Sequence, residues 1–394
     1  MSKQQSKRVL FIASQPFFQW RGSPIRLGFD LMSLSQLGYE VEFLTLPIGE
    51  RREIPGVKIT RAPNLLHSKK ISIGPSPLKL FFDFLLFWMA LGRVIKRRYA
   101  VVHGVEDCGI VAHVCARIGR AKMVFERHSD PASYKRKKGL GNLILKMYAT
   151  VERFVMRHAD AVIGTGPGLV ENAGKVRRDG RACLIPDIPS SLEPADPETT
   201  AALRKKYVRD ADDIIIGYVG SFAVYQGIDL LFDAIPLVVH KVPKARFAII
   251  GGSQAEIAAC RARLEAAHCP DAATFIGFVD PDKLPSYLAS FDILLSPRIS
   301  GMNTPLKLLD YLKANVPIVA TDCEANRLIL DKTTAELTPL TPDGFAKGIV
   351  RLCTDPARRE ALAGAGQDIL RAHHSFPVFK DGLRKCYEYV LSVK

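Results

Sequence analysis

Two kinds of apolar pattern alternate along the chain. Short continuous runs, bounded by glycine, proline or charge, occur at Arg8–Ser14, Glu40–Thr45, 101–105, 123–125 and 159–165, and again at 214–222, 246–252, 274–279, 293–295 and 318–320. Between them lie stretches whose apolar residues recur every three or four positions. The first kind reads as strands buried on both faces, the second as amphipathic helices, and their alternation predicts parallel α/β sheets. Expected helices include Leu27–Leu37, the apolar stretch 77–98, a helix opening at Gly166-Pro167, one starting near Gly227, and Phe379–Leu391. The proline-rich, aperiodic segment Cys183–Pro197 divides the chain, giving domains 1–185 and 186–375 and a terminal helical segment 376–394. A length of 394 residues suits two domains of similar size.

Candidate chemistry concentrates in Asp292–Asp322 (DILLSPRISGMNTPLKLLDYLKANVPIVATD). Ile293–Leu295 and Ile318–Ala320 are buried strands, Thr304 is an N-cap and Pro305 occupies the first helical position. The loop from Arg298 to Asn303 then lies at the carboxyl edge of a parallel sheet, where the amide groups at a helix start can face an anion. Lys307 and Asp310 follow on one helix face. A cation beside a phosphate and a carboxylate behind it suit a nucleoside diphosphate and its ribose hydroxyls. Taken singly, Asp310 reads better as an acid favouring a helix start and Lys307 as a solvated cation.

The segment TPLKLLDYLKANVPIVATD resembles the nucleotide-sugar helix of retaining GT-B glycosyltransferases of the GT4 type (glycosyl transferases group 1). The resemblance implies two Rossmann-like domains facing each other across a cleft, the first binding an acceptor and the second a nucleotide sugar. It assigns Asp310, the acid before Tyr311, to the donor ribose, and Asn303, Thr304, Pro305 and Leu306 to diphosphate and sugar. Asp310 stands where Glu is usual, and Met302 falls where the family's other acid would sit. GYVGS-x4-QGIDLL resembles the family's diphosphate element, placing Gly220, Ser221 and Gln226 at the donor; Ser221 and Gln226 stand where Arg and Lys are common, which leaves the phosphates to Lys307, Arg298 and amides. Gly251 and Gly252 end a strand where a ligand can approach backbone, and Phe278 and Val279 would lie beside the nucleobase. The family's H-x-x-E and V-x-x-x-H elements match His103-x-x-Glu106 and His128, with His128 near the donor sugar.

Other residues are read without that likeness. The apolar strands ending at VVHGVED and MVFERHSDP put His103, Glu106, Arg127, His128 and Asp130 along one carboxyl edge. Gly22-Ser23, after the first strand, is either a point of substrate approach or a simple turn. The missing G-x-G-x-x-G there argues against a dinucleotide dehydrogenase.

Charge is unevenly placed. Residues 1–181 hold 31 Lys/Arg against 14 Asp/Glu, a balance of +17; the remainder holds 24 against 26, or −2. The first half should face an anionic surface, with nucleic acid disfavoured because no recognition motif accompanies the charge. The helix 77–98 reads either as a core helix or as one lying in a membrane interface with Arg93, Lys96, Arg97 and Arg98 at the headgroups, joined by Lys135–Lys138. Eight cysteines without a C-x2-C pair read as small buried hydrophobes of a reducing cytosol. No signal peptide is expected from the polar start.

The reading is a retaining glycosyltransferase, peripheral at the cytoplasmic face of the membrane, moving sugar from a nucleotide donor to a lipid-linked or glycan acceptor, without cofactor or metal. Two alternatives share the architecture: a sugar-nucleotide 2-epimerase, and a catalytically weak partner subunit of a glycosylation complex.

Overall fold

The computed structural model describes residues 7–17, 22–50, 52–69, 71, 76–129, 140–177, 179, 181–301 and 304–393. It falls into two compact units, Met1–Asp187 with Phe376–Lys394, and Ile188–Ser375. Met302, Asn303, Asp130 and Lys135–Lys138 lie outside the described residues.

The first unit holds strands β1 (Arg8–Ala13), β2 (Glu40–Thr45), β3 (Val57–Arg61), β4 (Val101–Val105), β5 (Lys122–Arg127), β6 (Ala161–Gly164) and β7 (Ala182–Leu184). Every pairing is parallel, in the order β3-β2-β1-β4-β5-β6-β7. The second unit holds β8 (Ile214–Val219), β9 (Ala245–Ile250), β10 (Ala273–Gly277), β11 (Ile293–Ser296), β12 (Ile318–Thr321) and β13 (Glu336–Thr338), also all parallel, in the order β10-β9-β8-β11-β12-β13. In each sheet the strand order reverses direction once, between β1 and β4 and between β8 and β11. A crevice opens at the carboxyl ends of such a reversal, because the helices on its two sides run to opposite faces.

Both faces of each sheet are buried, which is why the strands read as unbroken apolar runs. In β8, Ile216 joins Leu231, Ile235 and Phe345 on one side, while Ile215 joins Leu308, Leu309 and Leu312 on the other. Each such side chain removed from water contributes about 1.5 to 3 kcal/mol.

Several element ends differ from the sequence expectation, with consequences for the site. The first helix is Gly22–Gln36, starting five residues before Leu27, so Gly22 and Ser23 form its opening turn, neither a free loop nor a turn. The helix after β11 is Leu306–Lys313; Pro305 is its N-cap, with an extended ψ of 99°, and Thr304 makes no side-chain cap. His103 sits in the middle of β4 and is fully buried, because β4 runs on past it to Val105. Gly251, Gly252, Phe278 and Val279 all lie beyond the last strand residue. The terminal helix, Phe376–Ser392, belongs to the first unit and packs on Gly22–Gln36.

The helix Pro77–Lys96 resolves the two readings of its stretch by face. Phe82, Leu86, Ala90 and Val94 are in the core, whereas Leu80, Phe84, Trp88 and Ile95 are each more than half exposed. Lys79 is not a surface charge: it is buried on Ser14, Asp83 and Asp107. No described helix is long and apolar enough to cross a membrane.

Candidate functional site

In the second unit, the carboxyl ends of β8 and β11 carry a cluster of two cations. Lys307 Nζ donates to Gln226 Oε1 at 3.1 Å and lies 4.6 Å from the centre of the Tyr218 ring. The Arg298 guanidinium rests over Tyr225, and its Nε donates to the Ser300 carbonyl at 2.8 Å. Burial and the neighbouring Arg298 push the Lys307 ammonium down to about 7, and burial also lowers Arg298. Among the described residues, no carboxylate lies in ion-pair contact with either cation. Two adjacent cations without an anion form a site for one.

Backbone conformation allows this cluster. Gly227 has φ +74°, and a β-carbon there would stand 1.8 Å from the Pro297 carbonyl oxygen, so only glycine lets the β8 loop close against the β11 loop. Gly251, at φ +117°, is equally restricted: its β-carbon would meet the Gly220 carbonyl oxygen at 2.0 Å. Tyr311 bolts the lysine helix to both strand ends, its hydroxyl accepting from Val219 N at 3.0 Å and lying 3.3 Å from the Leu295 carbonyl. Ser221 is exposed and lends its carbonyl to the Tyr218 hydroxyl at 2.9 Å. The structure thus brings Gly220, Ser221, Gln226, Arg298 and Lys307 together, while Phe278 is 81% exposed beyond β10.

Asp310 is occupied from within its own unit. Ser190 donates to it through backbone N at 2.7 Å and through Oγ at 2.9 Å to both carboxylate oxygens. Burial raises its carboxyl to about 6, against the stabilising effect of those bonds. One turn on, Lys313 donates to the carbonyls of Ser191 and Glu193. Ser190 was not legible beforehand, since it lies 120 residues from its partner in a segment without pattern.

In the first unit, alternation along β5 separates the candidates. Arg127 points to one face, paired with Glu152 at 2.8 Å and donating to the Leu169 carbonyl, a structural contact away from the others. Glu126 and His128 point to the opposite face. Glu106, at φ +47°, accepts from Gln15 Nε2 at 2.9 Å and Ser129 Oγ at 2.8 Å, tying the loop after β1 to the loop after β5.

Around Glu126 is a buried charge cluster that sequence reading missed. Arg26 Nε contacts Glu126, and its Nη1 reaches Asp187 Oδ1 at 3.0 Å. His128 Nε2 donates to Glu126 Oε1 at 2.9 Å. His103 Nε2 lies 3.0 Å from Glu126 Oε2, off the line of a good hydrogen bond, and its Nδ1 is 2.8 Å from the Tyr387 hydroxyl. Burial would favour neutral Glu126, but Arg26 and the two imidazoles hold it well below the usual carboxylate range. Burial pushes Asp30 the other way, well above that range, helped by the charge on Glu126. Asp30, Glu126 and His128 bring ligand-type atoms within 4.8 Å of one another. The Arg26 guanidinium already takes the place of a cation there. A signal existed: Arg26 and Asp30 are the only charges in Gly22–Gln36 and stand four apart among apolar residues.

Comparison with known proteins accounts for both halves. Residues 32–187 match the model of the glycosyl transferase 4-like domain, and residues 213–355 that of glycosyl transferases group 1. Phosphatidyl-myo-inositol mannosyltransferase of Mycobacterium tuberculosis is 26% identical over 52% of this chain and 54% of its own length. The chain therefore spans about half the length of that relative. The 2-deoxystreptamine N-acetyl-D-glucosaminyltransferase of Streptomyces fradiae is 26% identical over 88% of this chain and 85% of its own. Among solved structures, sucrose-phosphate synthase of Thermosynechococcus elongatus superposes with a TM-score of 0.75 at 19% identity, covering 97% of this chain and 98% of that one. With two parallel α/β units, each matched by its own family model, the chain belongs to the glycosyl transferases group 1 (GT4-type) family and has the GT-B fold.

Proposed function

We propose that this protein is a retaining glycosyltransferase that moves a sugar from a nucleotide donor to a lipid-linked or glycan acceptor without a metal. The observation that carries the reading is the cation pair Lys307 and Arg298 at the strand reversal of the second unit, with no counter-ion against it among the described residues. As the diphosphate leaves, the charge growing on its oxygens would be met by these cations and by the amides at the start of Leu306–Lys313. Asp310 would take the ribose hydroxyls on the lone pairs that Ser190 leaves open. The acceptor hydroxyl would attack from the face the diphosphate leaves, and His128 would stabilise the sugar in its oxocarbenium-like state. The matched relatives are named for a phosphatidyl-inositol and a 2-deoxystreptamine acceptor, which supports a hydroxyl-bearing lipid or glycan here.

A membrane-facing place of work is supported by the first unit's surface. The outward row Leu80, Phe84, Trp88 and Ile95 ends at Lys96, Arg97 and Arg98, on the rim of a groove of about 1030 Å³ also lined by Arg117, Arg120 and Lys122. An apolar row flanked by cations suits an anionic bilayer.

Calorimetry with UDP and GDP in EDTA tests the reading. Binding of one of them without divalent metal is expected, followed by donor hydrolysis or transfer on a sugar-nucleotide panel. If neither binds, or if binding appears only with Mn²⁺ or Mg²⁺, the proposed mechanism is wrong.

A further inference from the structure

We infer that Glu126 is the positioning residue of His128, fixing its ring so that Nε2 carries the proton and Nδ1 presents a bare lone pair to a hydroxyl of the transferring sugar. The inference rests on the proposed function for the identity of that hydroxyl, but not for the ring's orientation or protonation.

The protons in this cluster can be assigned from its contacts. Glu126 is fully buried and held ionised by Arg26, so it can only accept. His128 Nε2, 2.9 Å from Oε1, must therefore be the donor. The remaining ring nitrogen, Nδ1, is buried and has no hydrogen-bond partner among the described residues, and the His128 side chain is only 5% exposed. A buried nitrogen left without a partner costs stability, and a polar ligand would satisfy it. His103 stands one strand away, its Nε2 3.0 Å from Glu126 Oε2 but out of line for a hydrogen bond, and its Nδ1 2.8 Å from the Tyr387 hydroxyl. Burial favours its neutral form. The Tyr387 contact thus uses one nitrogen of His103 inside the fold, whereas no described residue takes Nδ1 of His128.

The buried charges also argue for a role beyond folding. Removing Arg26 and Glu126 from water is costly, and an apolar pair of the same volume would commonly serve the fold as well or better. Among the described residues, the charged and titratable groups facing Glu126 and His128 are Arg26 and Asp30 from Gly22–Gln36, His103 from β4, Asp187 after β7, and Cys386 and Tyr387 from the terminal helix. Arg26 is the permanent cation of this set, and it neutralises Glu126 without competing for the His128 lone pair.

Two measurements test this on the full chain. Nitrogen-15 NMR of histidine-labelled protein at mildly alkaline pH, with His128 assigned by loss of its signals in His128→Gln, should show a protonated Nε2 and an unprotonated Nδ1. A protonated Nδ1 overturns the inference whatever the protein's activity, and needs no variant at Glu126 to fold. In turnover, Glu126→Gln should lower kcat roughly 10- to 100-fold with little change in donor KM. A variant that folds with an unchanged kcat overturns the inference. Nucleotide calorimetry on the same samples involves no turnover, so failure of the functional reading is seen separately.

Discussion

Lys307, depressed to about 7 in the free protein, is only partly charged at neutral pH. A base lowered in this way loses its proton as pH rises through that value, and a bound diphosphate would restore it. Nucleotide binding should therefore take up a proton above about pH 7, with affinity falling as pH climbs, and take up none well below it. Calorimetry in buffers of different ionisation heat measures this directly; pH-independent binding would separate Lys307 from the phosphates. Asp310→Ala should weaken nucleotide by about 1 to 3 kcal/mol through lost ribose hydrogen bonds. Lys307 and Asp310 were legible because they lie three apart on one helix, where spacing alone decides what they share. Arg26 with Glu126 and Ser190 with Asp310 are 100 and 120 residues apart, and no local pattern reports such a contact. His103 was misplaced for a related reason: a strand's apolar run does not show where pairing ends when an imidazole inside it is buried against Tyr387.

The inner strands followed from the apolar runs, since a sheet covered on both faces demands them; the edge strands β3, β7 and β13, short or without such a run, were not among those expected. Helix starts did not follow, because Pro305 and Gly22 are compatible with more than one cap position. The tightest element contact is between the loops after β8 and β11, where Gly227 has no room for a side chain. Gly227→Ala should destabilise the second unit by about 2 kcal/mol or more, from backbone strain and displacement of Pro297. It should also weaken nucleotide binding, because Arg298 follows Pro297. A thermal melt with unchanged midpoint would show that the loops can part without cost. The helix Pro77–Lys96 carries its own prediction. Flotation should find the protein on anionic vesicles but not neutral ones, and Phe84→Glu with Trp88→Glu, or Arg97→Glu with Arg98→Glu, should reduce that binding. High salt should weaken it as the Debye length shortens from about 8 Å at physiological ionic strength. Equal binding to neutral vesicles would assign the attachment to the apolar row alone.

At the scale of the whole molecule, nucleotide should act on one unit. A ligand at about 100 times its Kd stabilises the unit that binds it by about 2.7 kcal/mol, which for roughly 190 residues raises its midpoint by about 5 to 10 °C. Calorimetric scanning should show that shift confined to the transition of Ile188–Ser375; an equal shift of a separate first-unit transition would place the ligand elsewhere. The same division has a consequence for synthesis. Domains usually fold in the order in which they leave the ribosome, but here the first unit includes Phe376–Ser392. Phe379 covers the Arg26 guanidinium and Tyr387 reaches His103, so the buried charge cluster stays open until the terminal helix is made. The second unit, continuous in sequence, can close first. During translation the earlier half of the chain must wait for the later one, and a nascent chain halted before Phe376 would hold a finished second unit and an unsealed first one.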